Sequence, residues 1–268
     1  MSTYETVLLE YSHHGRIATV TLNRPEVHNA LNAQLLTDIQ AIFAELAQHE
    51  HLCSVILTGA GKSFSAGADL PMMQAAVLAD EKRNRQEAGQ MAAIFEALNL
   101  CPVPLVARVN GAALGGGLGL LAVCDIVIAV ASARLAFSEV KLGIAPAVIS
   151  PYVLRKTGSS WARRLFVTGE RFTAELAREI GLVHTVVAPE ELDTAVARII
   201  QELLSGGPQA LRACKMLARD VGSLSEQVAR TLTAETIARL RVSQEGQEGL
   251  RAFLEKRPPA WVRAQEAE

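Results

Sequence analysis

Residues 109–124 hold five glycines and no charged side chain, and this run constrains the fold more than any other stretch of the chain. At 16 residues it falls short of the roughly 20 apolar residues that a membrane-spanning helix needs. Glycine at this density also weakens a helix, so the run belongs where backbones approach closely and a Cβ would not fit. A second run of small residues, Ser63-Phe64-Ser65-Ala66-Gly67-Ala68-Asp69-Leu70, has the same character. Each run stands behind a short apolar stretch that reads as a buried strand, residues 54–58 and 103–109.

The neighbouring segments extend that alternation. Residues 7–11 and 16–22 form a candidate hairpin around Ser12-His13-His14-Gly15. Asn32 stands as an N-cap before Leu35, Leu36, Ile39, Ile42, Phe43 and Leu46, which share one helical face. A second helix is expected over 83–98, a short one from about Gly116, and a strand over 125–129. Residues 173–181 read as a capped short helix and 183–187 as a strand. Strands alternating with helices predict an α/β fold. Beyond Pro189 the pattern turns helical, with Leu192, Val196, Ile199, Ile200, Leu203 and Leu204 on one stripe and later segments opening at Pro208, Leu224 and Gln247. The division expected is a strand-rich core over 1–187 and a helical region over 188–268.

Composition removes several function classes. Lys and Arg number 26 against 28 Asp and Glu, and aromatic residues are only 4%. Neither a nucleic acid nor an anionic membrane surface has a basic or stacking platform to bind. The four cysteines, Cys53, Cys101, Cys124 and Cys214, lie far apart and form no CxxC or Cys/His metal spacing. No basic segment followed by an apolar one opens the chain, so a reduced, cytoplasmic protein is expected.

Three familiar motifs fail on inspection. Gly59-Ala60-Gly61-Lys62-Ser63 resembles the end of a phosphate-binding loop, but Ile56 stands where the first glycine is required. Ser65 lies in a poor nucleophile elbow, because Ser63 replaces its glycine. Gly117-Leu118-Gly119-Leu120-Leu121-Ala122 fits a dinucleotide fingerprint, yet the next strand follows too soon for a parallel crossover. His49 and His51 read as caps of an exposed helix end, and no histidine sits in a metal-ligand pattern.

What survives is the pair of glycine-containing loops. Amides at the start of a helix point outward with partial positive charge, so two such loops on neighbouring strands can aim N–H groups at one developing oxyanion. The loops SAGADL and NGAALGGG with its following CD, the segment FSEVKLGI, Arg24-Pro25 with Asn29-Ala30-Leu31, and Phe253-Leu254-Glu255-Lys256-Arg257 resemble the crotonase, or enoyl-CoA hydratase/isomerase, superfamily. The resemblance implies a spiral of ββα units, a helical C-terminal region that forms homotrimers or hexamers, and an acyl-CoA substrate with no separate cofactor or metal. It also implies catalytic roles for the amides of Ala68 and Gly116 and for the carboxylate of Glu139. CoA and acyl contacts are implied for Val27, Ala30, Ala66, Asp69, Leu70, Gly115 and Lys256, and a structural role for Asp125.

One departure bears on mechanism. Hydratases of the superfamily carry a second glutamate in GGGxE, where this chain has Gly119. A single-carboxylate isomerase moving a double bond from 3-enoyl-CoA to 2-enoyl-CoA is therefore one alternative, and a non-catalytic acyl-CoA-binding scaffold another. The segments SEVKLGIAPAVISPYVLR, GLGLLAVCD and RVSQEGQEGLRAFLEKRPPAW are similar to a bacterial branch of 3-methylglutaconyl-CoA and isohexenylglutaconyl-CoA hydratases. That likeness implies hydration of 3-methylglutaconyl-CoA to 3-hydroxy-3-methylglutaryl-CoA, a step of leucine degradation, or of its longer homologue in acyclic terpene degradation, with the first preferred. The substrate's distal carboxylate is then expected to replace the missing base, and Lys141, Arg155 or Lys156 to meet its charge.

Overall fold

The structure, a computed structural model, describes residues 4–262. Its first unit is the antiparallel hairpin of β1 (Val7–Ser12) and β2 (Ile17–Leu22) followed by α1 (Ala33–Gln48). Asn32 caps α1, its Oδ1 accepting from Leu35 N at 2.8 Å, and His49 is the C-cap residue. All six apolar residues expected on one face of α1 are buried. Each contributes about 2 kcal/mol by area removed from water.

Three further units follow the same plan with β-strands that split between two sheets. β3 (Ser54–Gly59) and β4 (Ser63–Ser65) lead to α2 (Leu70–Leu78) and α3 (Glu81–Leu100). β5 (Leu105–Val109) and β6 (Ala112–Leu114) lead to α4 (Gly116–Val123). β7 (Ile126–Val130) and β8 (Arg134–Ala136) lead through a 3₁₀ turn, Ser138–Leu142, to α5 (Ser150–Thr168). The chain then adds β9 (Arg171–Thr173), α6 (Ala174–Glu179) and β10 (Thr185–Val187).

Both strands of the hairpin and the first strand of each later unit join a six-stranded sheet, β1-β2-β3-β5-β7-β10, and the second strand of each later unit joins a four-stranded sheet, β4-β6-β8-β9. Every pair from β2 to β10 in the large sheet is parallel, which explains why β3 and β5 read as continuous apolar runs. The result is a spiral of ββα turns, as the resemblance implied. The helical end comprises α7 (Leu192–Ser205), α8 (Pro208–Asp220), α9 (Glu226–Val242) and α10 (Gln244–Leu254). The last six residues of the expected 188–268 region lie outside the described residues.

The differences from the sequence reading have local causes. α2 escapes a periodicity search because it has no buried residue: Leu70, Val77 and Leu78 all face outward. α3 begins two residues earlier than expected because Asp80 caps it, accepting from Arg83 N at 2.8 Å. α9 and α10 start at Glu226 and Gln244 rather than at Leu224 and Gln247. At α10 the cap is Ser243, which accepts from Gly246 N. The short strands of the small sheet have too few residues to show alternation.

Two polar ties fix α4, the helix that matters most for the site. Lys156 Nζ donates to Cys124 O at 2.5 Å and Leu121 O at 3.3 Å, placing a cation at the negative end of the helix dipole. Burial pushes its ammonium below the usual lysine range. Asp125, just beyond the helix, accepts from Leu105 N at 2.7 Å and pairs with Lys215 at 2.7 Å, which is the structural role expected of it.

Candidate functional site

The two small-residue loops meet at the positive end of α4. Leu31 N donates to Gly67 O at 2.7 Å and Asp69 N to Leu31 O at 3.1 Å, forming a parallel bridge between Leu31 and Ala68. That pattern uses the groups flanking Ala68 and leaves the Ala68 N–H outside the bridge. Gly116 is the first residue of α4, where an amide has no carbonyl one turn earlier to bond. The loops are pressed together: a Cβ on Gly67 would stand 3.5 Å from Gly116 N and 2.7 Å from Leu114 O.

Glu139 enters from the fourth unit. It sits in the 3₁₀ turn that follows β8, and Gly115 N donates to Ala136 O at 2.9 Å, tying the two segments. Gly115 has φ +49°, and a Cβ there would lie 3.1 Å from Glu139 Oε1. The backbone conformation thus favours glycine here, and a side chain would press on the Glu139 carboxylate. Glu139 Oε2 is buried without a hydrogen-bond partner among the described residues. Burial pushes its carboxyl above the usual carboxylate range, opposed in part by its own backbone N–H. A half-buried carboxyl with an open oxygen is suited to hold or deliver a proton.

A cavity of about 360 Å³ brings these groups together. Ala66, Ala68, Gly115, Gly116 and Glu139 all line it. Met72, Met73 and Met91 supply much of its apolar wall. Asn84 and Glu87 of α3 also line it, and the sequence reading missed both. They sit on a polar helix whose charged residues all resemble solvated surface positions, so only the turn of α3 toward the cavity singles them out.

The other expected binding residues stand elsewhere. Asp69 is buried, caps α2 by accepting from Met72 N at 3.0 Å, and pairs with Arg24 at 3.0 Å. Its carboxylate is engaged in holding the loop. Ala30 is buried beside Leu31, Val27 lies exposed on the 3₁₀ turn Pro25–Val27, and Leu70 is exposed at the start of α2. Lys256 is exposed beyond α10 with φ +52°. None of these five lines the cavity within this chain.

The cations expected to meet a distal carboxylate also lie away from it. Lys156 is spent on the end of α4, Arg155 stacks 5.2 Å from the Tyr152 ring centre, and Lys141 lies against Gly169. No Lys or Arg lines the cavity among the described residues. The vacant second-glutamate position is also filled. A Cβ on Gly119 would overlap Ile149 and come within 2.8 Å of Phe95 Cε1.

Residues 12–264 match the family described as enoyl-CoA hydratase/isomerase. The chain is 36% identical over 261 residues to the crotonyl-CoA hydratase of Syntrophomonas wolfei, covering 97% of this chain and 98% of that relative. Among solved structures, an enoyl-CoA hydratase from Shewanella pealeana superposes with TM-score 0.91 at 39% identity, covering 96% of both chains. AtuE of Pseudomonas aeruginosa superposes with TM-score 0.93 at 34% identity, covering 96% of this chain and all of that one.

Proposed function

The chain belongs to the enoyl-CoA hydratase/isomerase family, and from that premise we propose that it adds water across the double bond of an enoyl-CoA, with 3-methylglutaconyl-CoA as the lead substrate. The observation that carries the chemistry is Glu139: a half-buried carboxyl with a free oxygen, lining one cavity with the Ala68 and Gly116 amides. The thioester oxygen sits on the two amides, which stabilise the enolate oxyanion by about 3 kcal/mol per donor. Water loses one proton to a base as its oxygen bonds to C3, the C2=C3 electrons move toward the thioester, and Glu139 delivers its proton to C2. The proton taken from water returns to Glu139 through solvent, so the net change is one water added. The choice of 3-methylglutaconyl-CoA rests on the likeness of the SEVKLGIAPAVISPYVLR and RVSQEGQEGLRAFLEKRPPAW segments to hydratases of that substrate.

A second reading is isomerisation of an apolar 3-enoyl-CoA by Glu139 alone. The cavity wall favours it, since methionines and alanines line the space and, among the described residues, no cation does. A parallel assay on 3-methylglutaconyl-CoA, crotonyl-CoA and trans-3-hexenoyl-CoA, with Glu139→Gln as the blank, separates the two. Hydration of the first at kcat/KM of ~10⁴ M⁻¹s⁻¹ or better supports the lead reading. Conversion of the hexenoyl thioester alone overturns it in favour of the isomerase.

A further inference from the structure

Hydration needs a group that orients and deprotonates the attacking water, and the position that a second glutamate would take from α4 is closed. Phe95 and Ile149 occupy the space around Gly119, so a side chain at position 119 would have to displace one of them. The cavity nevertheless has a second carboxylate. Asn84, Glu87, Ala88 and Met91 line it at spacings of three, four and seven residues, which is one face of α3. Glu87 and Glu139 are the two acidic side chains in its lining among the described residues.

We propose that Glu87, presented by α3 to the cavity that also holds Glu139, is the second acid–base residue of the site and activates the water that adds to the double bond. This inference rests on the hydratase reading above. Three features of its surroundings support the role. The helix is anchored at that turn, because Asn84 Nδ2 donates to Ala76 O at 3.1 Å and Ala79 O at 3.2 Å, joining α3 to the end of α2. Ala76 and Ala88, which line the same cavity, add no more than a methyl group each to its wall. Its ion-pair partner Arg83, at 3.2 Å, sits one turn back on the same helix, is largely exposed and does not line this cavity. Arg83 therefore supports the carboxylate from outside without displacing it.

Glu139 is half-buried, and burial raises its carboxyl above the usual range, which suits a donor to C2. Glu87 stands at the wetter side beside a cation. In the step assigned here, Glu87 takes one proton from water as the oxygen bonds to C3. The C2=C3 electrons pass to the enolate held on the Ala68 and Gly116 amides, and Glu139 gives its proton to C2. Transfer of the Glu87 proton back to Glu139 through solvent closes the cycle, and the net change is one water added. The bland alternative is that Glu87 forms a solvated helix-surface ion pair, whose removal is worth little.

The test compares full-length Glu87→Gln, Glu87→Asp and Glu139→Gln in two assays: hydration of crotonyl-CoA and 3-methylglutaconyl-CoA, and exchange of the C2 protons of butyryl-CoA in deuterium oxide. Crotonyl-CoA has no distal carboxylate, so substrate assistance cannot mask the effect. Glu87→Gln is expected to lower kcat for hydration by roughly 100-fold or more with KM within threefold, the scale of a lost acid–base group. It should retain C2 exchange, which Glu139→Gln abolishes, and Glu87→Asp should restore hydration at least tenfold over Gln. Hydration by Glu87→Gln within threefold of wild type overturns the assignment, as does equal loss of hydration and exchange. Wild-type protein that hydrates neither thioester overturns the hydratase reading and this role together. Active wild type with an unaffected Glu87→Gln overturns the Glu87 role alone.

Discussion

Restoring a glutamate at position 119 is the obvious way to convert this site to two carboxylates on α4, and the structure predicts that it fails. An added Cβ overlaps Ile149 and comes within 2.8 Å of Phe95 Cε1, and both side chains are buried. For Gly119→Ala, overpacking costs about 1–3 kcal/mol against about 1 kcal/mol gained from helix propensity, a net loss near 1 kcal/mol. Gly119→Glu adds a carboxylate among apolar side chains, which brings the loss to about 4 kcal/mol. At roughly 2–4 °C per kcal/mol, the alanine variant should melt about 3 °C below wild type and the glutamate variant about 10 °C or more below it. Ile149→Ala opens the space, so the double variant Gly119→Glu/Ile149→Ala should be less unstable than the two single losses added, by ~1 kcal/mol or more. Thermal and urea unfolding measure the losses, and the hydration assay follows function. A Gly119→Glu protein that melts with wild type, or that hydrates crotonyl-CoA faster, refutes the claim that Ile149 and Phe95 fill this position.

Glu139→Gln should cost roughly 10²–10⁴-fold in kcat. It should also change stability with a defined sign. The folded protein holds the Glu139 carboxyl above its ordinary value, so its contribution to stability is full in acid and is lost as pH rises through the folded value. The glutamine variant should therefore gain on wild type in melting temperature between pH 4 and pH 8, and a constant difference would contradict the shift. Lys215→Met removes the partner of Asp125 and a bond to Val103 O at 3.0 Å. A loss of about 3 kcal/mol is expected in urea unfolding, toward the low end for buried pairs because Asp125 is one-third exposed. Of the four cysteines, Cys214 is exposed, while burial pushes the Cys53 and Cys101 thiols up and the Cys124 thiol up to about 12. A thiol reagent should label Cys214 first in the native protein, and Cys214→Ser should abolish the fast phase.

The sequence marks Glu139, Ala68 and Gly116, which line one cavity in the structure, for different reasons. The amides announce themselves through glycine and alanine, because only small residues allow the loops at 66–68 and 115–117 to press together. Glu139 was legible through its motif and not through any periodicity, since it sits in a 3₁₀ turn with no repeating face. The large sheet was legible because parallel strands covered on both faces read as unbroken apolar runs. α2 was not, because its apolar residues point outward and nothing in their spacing marks a face.

The absence of a glutamate at Gly119 was also plain in the sequence, but its meaning was not. A missing side chain can leave room for water, for a substrate carboxylate or for another residue, and the choice depends on what packs there. Ile149 lies 30 positions away at the start of α5, and Phe95 lies on α3, so no local pattern connects them to α4. With that position closed and Lys141, Arg155 and Lys156 engaged elsewhere, the expected meeting of a distal carboxylate with a cation has no partner in the cavity wall. The same helix that closes one route opens another: Phe95 fills the space beside α4 while Glu87, eight residues earlier, faces the cavity. A carboxylate moved from α4 to α3 keeps two acids in one site while changing which residues set the shape of its wall.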